Sequence, residues 1–108
     1  QVLEKRQRTV FLIIESGNER VGYVRINSSK SGISKEISIS IDPTKRGFGI
    51  CVEVLFWMSL EYWRLGDTFV ANVWSRNKPS LNCFRKAGFR VTRISKGFLE
   101  LRLLAAIP

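Results

Sequence analysis

The chain has 108 residues, of which 44% are hydrophobic and 25% charged, with 18 Lys and Arg against 9 Asp and Glu. This length allows one domain with one modest core, and the composition is that of an ordinary globular protein, which argues against disorder. The net charge of +9 favours a phosphate-bearing partner, whether nucleic acid, a membrane surface, or a phosphorylated cofactor or substrate.

The sequence contains no histidine and only two cysteines, Cys51 and Cys83. Ser-His-Asp and Cys-His nucleophiles are therefore excluded, and the cysteines lack the spacing of zinc ligands, so we expect no metal. There is no signal-like start and no apolar run of about 18 residues, so we expect no membrane span and a cytoplasmic location. The chain begins at Gln1 rather than Met, which is compatible with its being a piece of a longer polypeptide.

Three strands are predicted in the first part of the chain. Residues 9–15 form a β-rich apolar run, and residues 20–27 and 35–41 alternate apolar and polar side chains, with polar turns between the runs. The third strand ends at Pro43 or just before it, because proline cannot continue a ladder.

Helical periodicity begins after these strands. From Ile50 to about Leu65, apolar residues recur at three-and-four spacing without Gly or Pro, which predicts an amphipathic helix that Gly66 ends. The remaining predicted elements are a strand, a second helix with proline in its first turn, and two closing strands, at residues 68–74, 79–87, 89–94 and 98–104. The predicted order is β-β-β-α-β-α-β-β.

The aromatic residues of the first predicted helix have two interpretations. They fall at helical spacing, so core packing is the favoured interpretation and a partner surface the alternative. The residues are Phe56, Trp57, Tyr62 and Trp63.

The stretch RGFG at residues 46–49 resembles the basic, aromatic strand with which RNA-recognition modules stack bases, and Val10 to Leu12 offer a second such strand. That module requires a helix between its two strands, whereas two strands and two turns are predicted there. Glu53 also stands within a helical pattern, where another stacking aromatic residue is needed. Nucleic acid is therefore a disfavoured partner.

A phosphate-binding loop is the favoured interpretation of the same stretch. Gly47 and Gly49 have no Cβ, so an anion can approach the main chain, and the amides of the first helical turn have no internal partner. Lys45 and Arg46 add positive charge. Neither GxGxxG nor GK[ST] is present. On the loop alone, a glycine-rich turn that binds nothing is an equally good interpretation.

Two motifs together resemble the GNAT superfamily of acyl-CoA-dependent N-acetyltransferases. They are Ile41-Asp42-Pro43 with Arg46-x-x-Gly49-x-Cys51, and Asn77-x-x-Ser80-x-x-x-Phe84-x-Lys86-x-Gly88-Phe89. Each is weak alone, but their order and spacing make the pair fairly specific. The resemblance covers residues 9–104, without the N-terminal strand and helix pair that usually help to form the acceptor pocket. It implies one domain over residues 1–108, an α/β (α+β) fold with a mixed, mostly antiparallel sheet flanked by helices.

The resemblance implies that acetyl-CoA is the acetyl donor. The main chain of Ile39 and Ile41 would hydrogen-bond to pantetheine, one of these amides could polarise the thioester carbonyl, and Asn77 would contact the pantetheine arm. The pyrophosphate would be held by Arg46, Gly47, Phe48, Gly49, Ile50 and Cys51.

The implied reaction is direct attack of a primary amine on the thioester. Phe84 stands where the family often has a tyrosine that protonates the leaving thiolate, so Ser80 or a water is the expected replacement. Glu36 is the best candidate for the base, acting through water, although it is equally well an ordinary exposed strand carboxylate. Asn72 on the neighbouring strand cannot take a proton. Cys51 stands where Gly or Ala is usual, and we expect a packed helix-start residue.

The expected acceptor is a small-molecule amine. A weak resemblance of residues 34–89 to acetyltransferases of amino-sugar nucleotides makes such a sugar the first expectation, and the positive charge is compatible with a phosphorylated acceptor. A protein N-terminus is second, because the expected strand carboxylate and the tyrosine are replaced by Asn72 and Phe84. A non-catalytic module that binds CoA or RNA is the alternative from a different class.

Overall fold

The structure, a computed structural model, describes residues 8–29, 34–47, 49–61 and 68–104. Its elements follow the predicted order β-β-β-α-β-α-β-β, with a short 3-10 turn, Pro43–Lys45, after the third strand. The elements are β1 (Arg8–Ser16), β2 (Glu19–Ser28), β3 (Ser34–Ile41), α1 (Ile50–Glu61), β4 (Thr68–Trp74), α2 (Lys78–Lys86), β5 (Arg90–Ser95) and β6 (Phe98–Leu104). The predicted helix end at Leu65 and Gly66 lies outside the described residues.

The strands form one six-stranded sheet in the order β1-β2-β3-β4-β6-β5. Every neighbouring pair is antiparallel except β3 and β4, which are parallel. A parallel pair needs a crossover connection, and α1 lies in that connection. The predicted mixed, mostly antiparallel sheet is therefore confirmed.

Both helices pack on the same face of the sheet. Leu55 and Met58 of α1 and Leu81 of α2 belong to one buried cluster, together with inward side chains of four strands. Because side chains alternate along a strand, the residues between these buried positions point to the opposite face. That opposite face carries polar side chains and exposed aromatic rings: Phe11, Tyr23, Trp74 and Phe98.

The aromatic residues of α1 are only partly explained by the sequence pattern. Phe56 and Trp57 are 59% and 50% exposed, so the interpretation of these two residues as core was wrong. The side chains that α1 buries are Leu55, Met58 and Ser59. Since α1 is apolar on nearly every side, its pattern does not indicate which stripe meets the sheet. Tyr62 and Trp63 lie outside the described residues.

None of the helices within the described ranges has the length and apolar character that a membrane span needs.

Two leucines of α1 provide a matched test of this packing. Leu55 is 1% exposed and Leu60 is 74% exposed. We expect Leu55→Ala to lower the free energy of unfolding by about 2–5 kcal/mol, because it leaves a cavity in the core. Leu60→Ala should change it by less than about 0.5 kcal/mol. Urea denaturation of both variants measures the difference, and equal losses would contradict the assigned packing face.

Candidate functional site

The parallel ladder between β3 and β4 is short. It pairs Ser34 with Thr68, Lys35 with Phe69 and Glu36 with Val70, and it ends there. Both strands continue, β3 to Ile41 and β4 to Trp74, without further pairing to each other. The two strands therefore form a fork that opens beyond Glu36.

The main chain of β3 presents hydrogen-bonding groups to this fork. The Asp42 N–H donates to the Val21 carbonyl on β2 at 2.7 Å. Since backbone groups alternate sides along a strand, those of Ile39 and Ile41 face away from β2, toward β4. The Ile41 carbonyl accepts from Arg46 Nε at 3.0 Å. The Ile41 N–H and both main-chain groups of Ile39 are open to an extended ligand that adds to the strand edge.

A compact turn leads from β3 to α1. Asp42 Oδ1 accepts from the Thr44 N–H at 2.9 Å and from Thr44 Oγ1 at 2.8 Å. These two bonds, with a smaller contribution from the charges of Lys45 and Arg46, hold the pKa of Asp42 below its usual range. The carboxylate therefore remains ionised at neutral pH and fixes the turn that carries both cations.

The start of α1 has the geometry of an anion site. Gly47 and Gly49 have φ angles of 89° and 77°, which favour glycine, and the first helical hydrogen bond runs from the Glu53 N–H to the Gly49 carbonyl at 3.1 Å. The amides before Glu53, those of Ile50, Cys51 and Val52, thus have no acceptor within the helix. They lie at the positive end of its dipole. Phe48, also predicted to bind the cofactor, lies outside the described residues.

The start of α2 forms the facing wall. Asn77 caps this helix, because its Oδ1 accepts from the Ser80 N–H at 3.3 Å and its carbonyl accepts from the Leu81 N–H at 3.0 Å. Its Nδ2 group makes no hydrogen bond within the described part of the chain and can donate to a ligand. Ser80 lies one turn further on, half-buried.

A disulfide joins Cys51 in the first turn of α1 to Cys83 in α2. The expectation of a packed residue at Cys51 did not include this bond. The two cysteines are 32 residues apart, and this spacing matches no pattern from which a disulfide can be predicted. The bond ties together the two helices whose N-terminal turns line the fork.

One cavity of about 370 Å³ brings most of the predicted cofactor residues together. The predicted residues that line it are Ile39, Ile41, Arg46, Gly47, Gly49, Ile50, Cys51, Asn77 and Ser80. Lys45, which was predicted to add positive charge to the loop, also lines it, as do Asn82 and Lys86, which had been assigned no role. Lys86 occupies a position of the second motif, so its spacing was the signal that could have identified it.

The charge of this cavity is positive. Lys45, Arg46 and Lys86 line it, and no carboxylate does so among the described residues. Lys45 Nζ pairs with Glu19 Oε2 at 2.9 Å, but the two side chains are 38% and 66% exposed. An exposed pair of this kind contributes about 0–1 kcal/mol, so Lys45 can exchange this partner for an anionic ligand.

Glu36, the predicted base, does not line this cavity. It lies at the end of the β3–β4 ladder and points to the face opposite the helices, where its Oε2 accepts from Asn72 Nδ2 at 2.9 Å. The structure therefore does not place Glu36 and Ser80 in one pocket. It places them on the two sides of the fork, and Asn72 positions the carboxylate.

Phe84 is 2% exposed and packs edge-to-face on Phe89, with ring centroids 5.0 Å apart. It does not line the cavity and carries no proton to give. Within the described ranges no group of three or more His, Cys, Asp and Glu side chains could hold a metal ion. The expected absence of a metal stays a prediction.

Comparisons with known proteins identify a family and a fold. The family model described as "Acetyltransferase (GNAT) domain" matches residues 1–90. No curated protein sequence matches the chain.

Solved structures resemble the chain across most of its length. The GNAT domain of S. lividans PAT has a TM-score of 0.77 and 21% identity over 89% of this chain and 60% of its own. The putative acetyltransferase yncA from Salmonella typhimurium, solved with acetyl-CoA, has a TM-score of 0.74 and 22% identity over 89% and 64%. Spermidine N-acetyltransferase from Vibrio cholerae, solved with CoA and spermine, has a TM-score of 0.73 and 15% identity over 90% and 66%. The chain thus spans less than two thirds of each of these proteins, and the likeness establishes the fold.

The disulfide offers a test of how firmly the two helices are joined. A crosslink that closes a loop of this size stabilises a protein by about 3–4 kcal/mol, through the entropy of the unfolded chain. We expect reduction with dithiothreitol to lower the free energy of unfolding by about that amount. The measurement is urea denaturation with and without reductant.

The double variant Cys51→Ala, Cys83→Ala is the control. It should match the reduced protein in stability and should not respond to reductant. A wild-type protein that is equally stable with and without reductant would contradict a bond formed in solution.

Proposed function

The chain belongs to the GNAT family of acetyltransferases, and we propose that it binds acetyl-CoA in the cavity at the fork and transfers the acetyl group to a primary amine. The observation that carries this proposal is the convergence of an unpaired strand edge, a cationic turn and the start of α1 on one cavity. Acetyl-CoA has an extended pantetheine arm with amide groups, which an unpaired strand edge can bind, followed by a pyrophosphate, which a cationic turn and a helix start can bind.

The residues of the cavity fit the two parts of such a donor. Along β3, the N–H and carbonyl of Ile39 and the N–H of Ile41 would hydrogen-bond to pantetheine as an added strand does. At the other end, the amides of residues 50–52 would receive the pyrophosphate, and Arg46 and Lys86 would balance its charge. Asn77 Nδ2 would donate to an amide carbonyl between these two ends.

In the proposed reaction the chain supplies position, one hydrogen-bond donor and proton carriers. Acetyl-CoA supplies an activated acyl carbon: a C–N bond to the amine forms, the C–S bond breaks, and the electron pair leaves with sulfur. The Ile39 N–H would donate to the carbonyl oxygen as its charge develops. Glu36 would accept the amine proton through a water, and Ser80 would direct a proton to the departing sulfur.

The proposed acceptor is a small-molecule amine, with an amino-sugar nucleotide as the first candidate and a protein N-terminus as the second. The rival function is that of a module that binds CoA without turnover. A cytoplasmic location also stays a prediction, and the disulfide between Cys51 and Cys83 counts against it, because cytosolic proteins rarely keep such bonds.

Binding of acetyl-CoA is the first test of this function. With a dissociation constant of about 10 μM, 1 mM acetyl-CoA should raise the free energy of unfolding by about 2.7 kcal/mol. A thermal shift assay detects this, and release of free CoA thiol with a panel of amines, including amino sugars, then detects transfer. Absence of a shift would refute the proposed donor. A shift without thiol release on any amine would favour the non-catalytic module.

Substitutions of two adjacent cationic residues in α2, Arg85 and Lys86, test the phosphate contacts. Lys86 lines the cavity, whereas Arg85 is exposed and does not. We expect Lys86→Gln to weaken acetyl-CoA binding about three- to tenfold, equivalent to about 0.7–1.4 kcal/mol, and Arg85→Gln to leave it within twofold. Isothermal titration measures both, and equal effects would contradict a specific contact.

The sequence also suggests Gly49→Val as a test of the phosphate contacts, but this variant would change the stability of the backbone as well as ligand binding. The φ of Gly49 is 77°, and a branched side chain there adds backbone strain of about 1–3 kcal/mol to any collision with a ligand.

A further inference from the structure

A second cavity of about 200 Å³ lies on the sheet face opposite the helices. Its lining residues are Asn72, Arg93, Ser95, Phe98 and Glu100. The register pairs Asn72 and Arg93 with Glu100, and Ser95 with Phe98, so these side chains share one face. The cavity begins at Asn72, whose amide donates to Glu36 at the fork.

The carboxylate in this cavity is already paired. Glu100 Oε1 accepts from Arg102 Nε and from Thr92 Oγ1, both at 3.0 Å. The bonds to Arg102 and Thr92, in that order, lower the pKa of Glu100. Glu100 therefore remains ionised at neutral pH, and its charge is balanced by Arg102.

Arg93 is the second charged residue that lines this cavity, beside Glu100. Its side chain is exposed and makes neither an ion pair nor a hydrogen bond within the described part of the chain, but its charge acts on Glu100 and helps to lower the pKa of that carboxyl group. Two cations, Arg93 and Arg102, act on one carboxylate, Glu100, so the net charge of these three groups is positive. An exposed, planar guanidinium that makes no hydrogen bond or ion pair within the described residues is suited to bind a phosphate or a carboxylate.

Phe98 is the aromatic residue that lines this cavity, and Trp74 packs against its ring. Phe98 and Trp74 have ring centroids 4.1 Å apart and are 37% and 56% exposed. This pair gives the cavity an apolar side on which a ring or a short carbon chain can pack.

We propose that this second cavity is the acceptor site and that it selects amines carrying an anionic group, a phosphate or a carboxylate, which Arg93 binds. The inference rests on the proposed function. The donor would occupy the helix side of the fork, so the amine must reach the acyl carbon from the opposite face, where Asn72 and Glu36 lie. The anionic end then extends along β4 and β6 to Arg93. Polyamines are disfavoured, since they would bring positive charge to Arg93.

Matched small amines test the selectivity. The probes are ethanolamine phosphate, β-alanine, ethanolamine and 1,3-diaminopropane, each assayed for CoA thiol release at saturating acetyl-CoA. We expect kcat/KM to be at least tenfold higher for the better of the two anionic amines than for ethanolamine, and lowest for the diamine. The comparison of ethanolamine phosphate with β-alanine identifies which anionic group is preferred.

Variants of Arg93 test the assigned residue. Arg93→Gln should lower the ratio of kcat/KM for the anionic amine over ethanolamine at least tenfold, mainly through KM. Arg93→Glu should shift the preference toward 1,3-diaminopropane. Arg90→Gln removes the same charge from the same strand outside the cavity and should leave the ratio within twofold.

The outcomes separate this inference from the proposed function. If acetyl-CoA does not bind, both fail. If acetyl-CoA binds and neutral amines or the diamine are acetylated as well as the anionic ones, only the selectivity is overturned. No turnover with any probe in a protein that binds acetyl-CoA, or a ratio insensitive to Arg93, also overturns it.

Discussion

The end of the parallel ladder at Glu36 is the constraint on which the rest of the site depends. A central strand normally satisfies its backbone on both sides, and unpaired amides in a protein interior are costly. Past Glu36, β2 is the only strand paired with β3 in the described part of the chain, so β3 has the open edge of an outer strand in the middle of a sheet. Arg46 satisfies the Ile41 carbonyl of that edge, and a ligand or solvent must satisfy the remaining groups that face the cavity.

The fork also divides the molecule into two chemically different sides. On the helix side, the lining is cationic and rich in main-chain donors, and it suits an extended anionic ligand. On the open side, Asn72 lies in register with Glu100 and donates a hydrogen bond to Glu36, and Arg93 and an aromatic pair lie close by. The apex of the fork is the place where groups from the two sides meet. A reaction between two bound molecules can therefore occur without either having to pass the other.

Much of the fold was predictable because it is encoded locally. The boundaries of β4, residues 68–74, follow directly from its β-rich run between polar segments, and the alternation in β3 places Ile37, Ile39 and Ile41 together. The glycine turn at the start of α1 was predictable for a similar reason. Two glycines between a strand end and a helix start describe a local geometry, and the helix does begin at Ile50.

The features that were missed depend on distant parts of the chain. The fork depends on how β4 departs from β3, and no residue pattern within β3 records that departure. The disulfide joins residues 32 positions apart, and the exposed ring of Trp57 results from the way α1 is rotated on the sheet. The partnership of Asn72 with Glu36 is of the same kind, since the two residues belong to strands separated by a helix.

Asn72 positions the carboxylate that the proposed function assigns as the acceptor of the amine proton. It lies between two carboxylates, with Glu36 on one neighbouring strand and Glu100 on the other. A third carboxylate at this position would add like-charge repulsion and raise the cost of ionising its neighbours. The neutral amide instead donates to Glu36 Oε2 and holds that carboxylate in place, while the second oxygen remains available to a water or an ammonium group. An amide at residue 72 is therefore compatible with the proposed role of Glu36 as the proton acceptor.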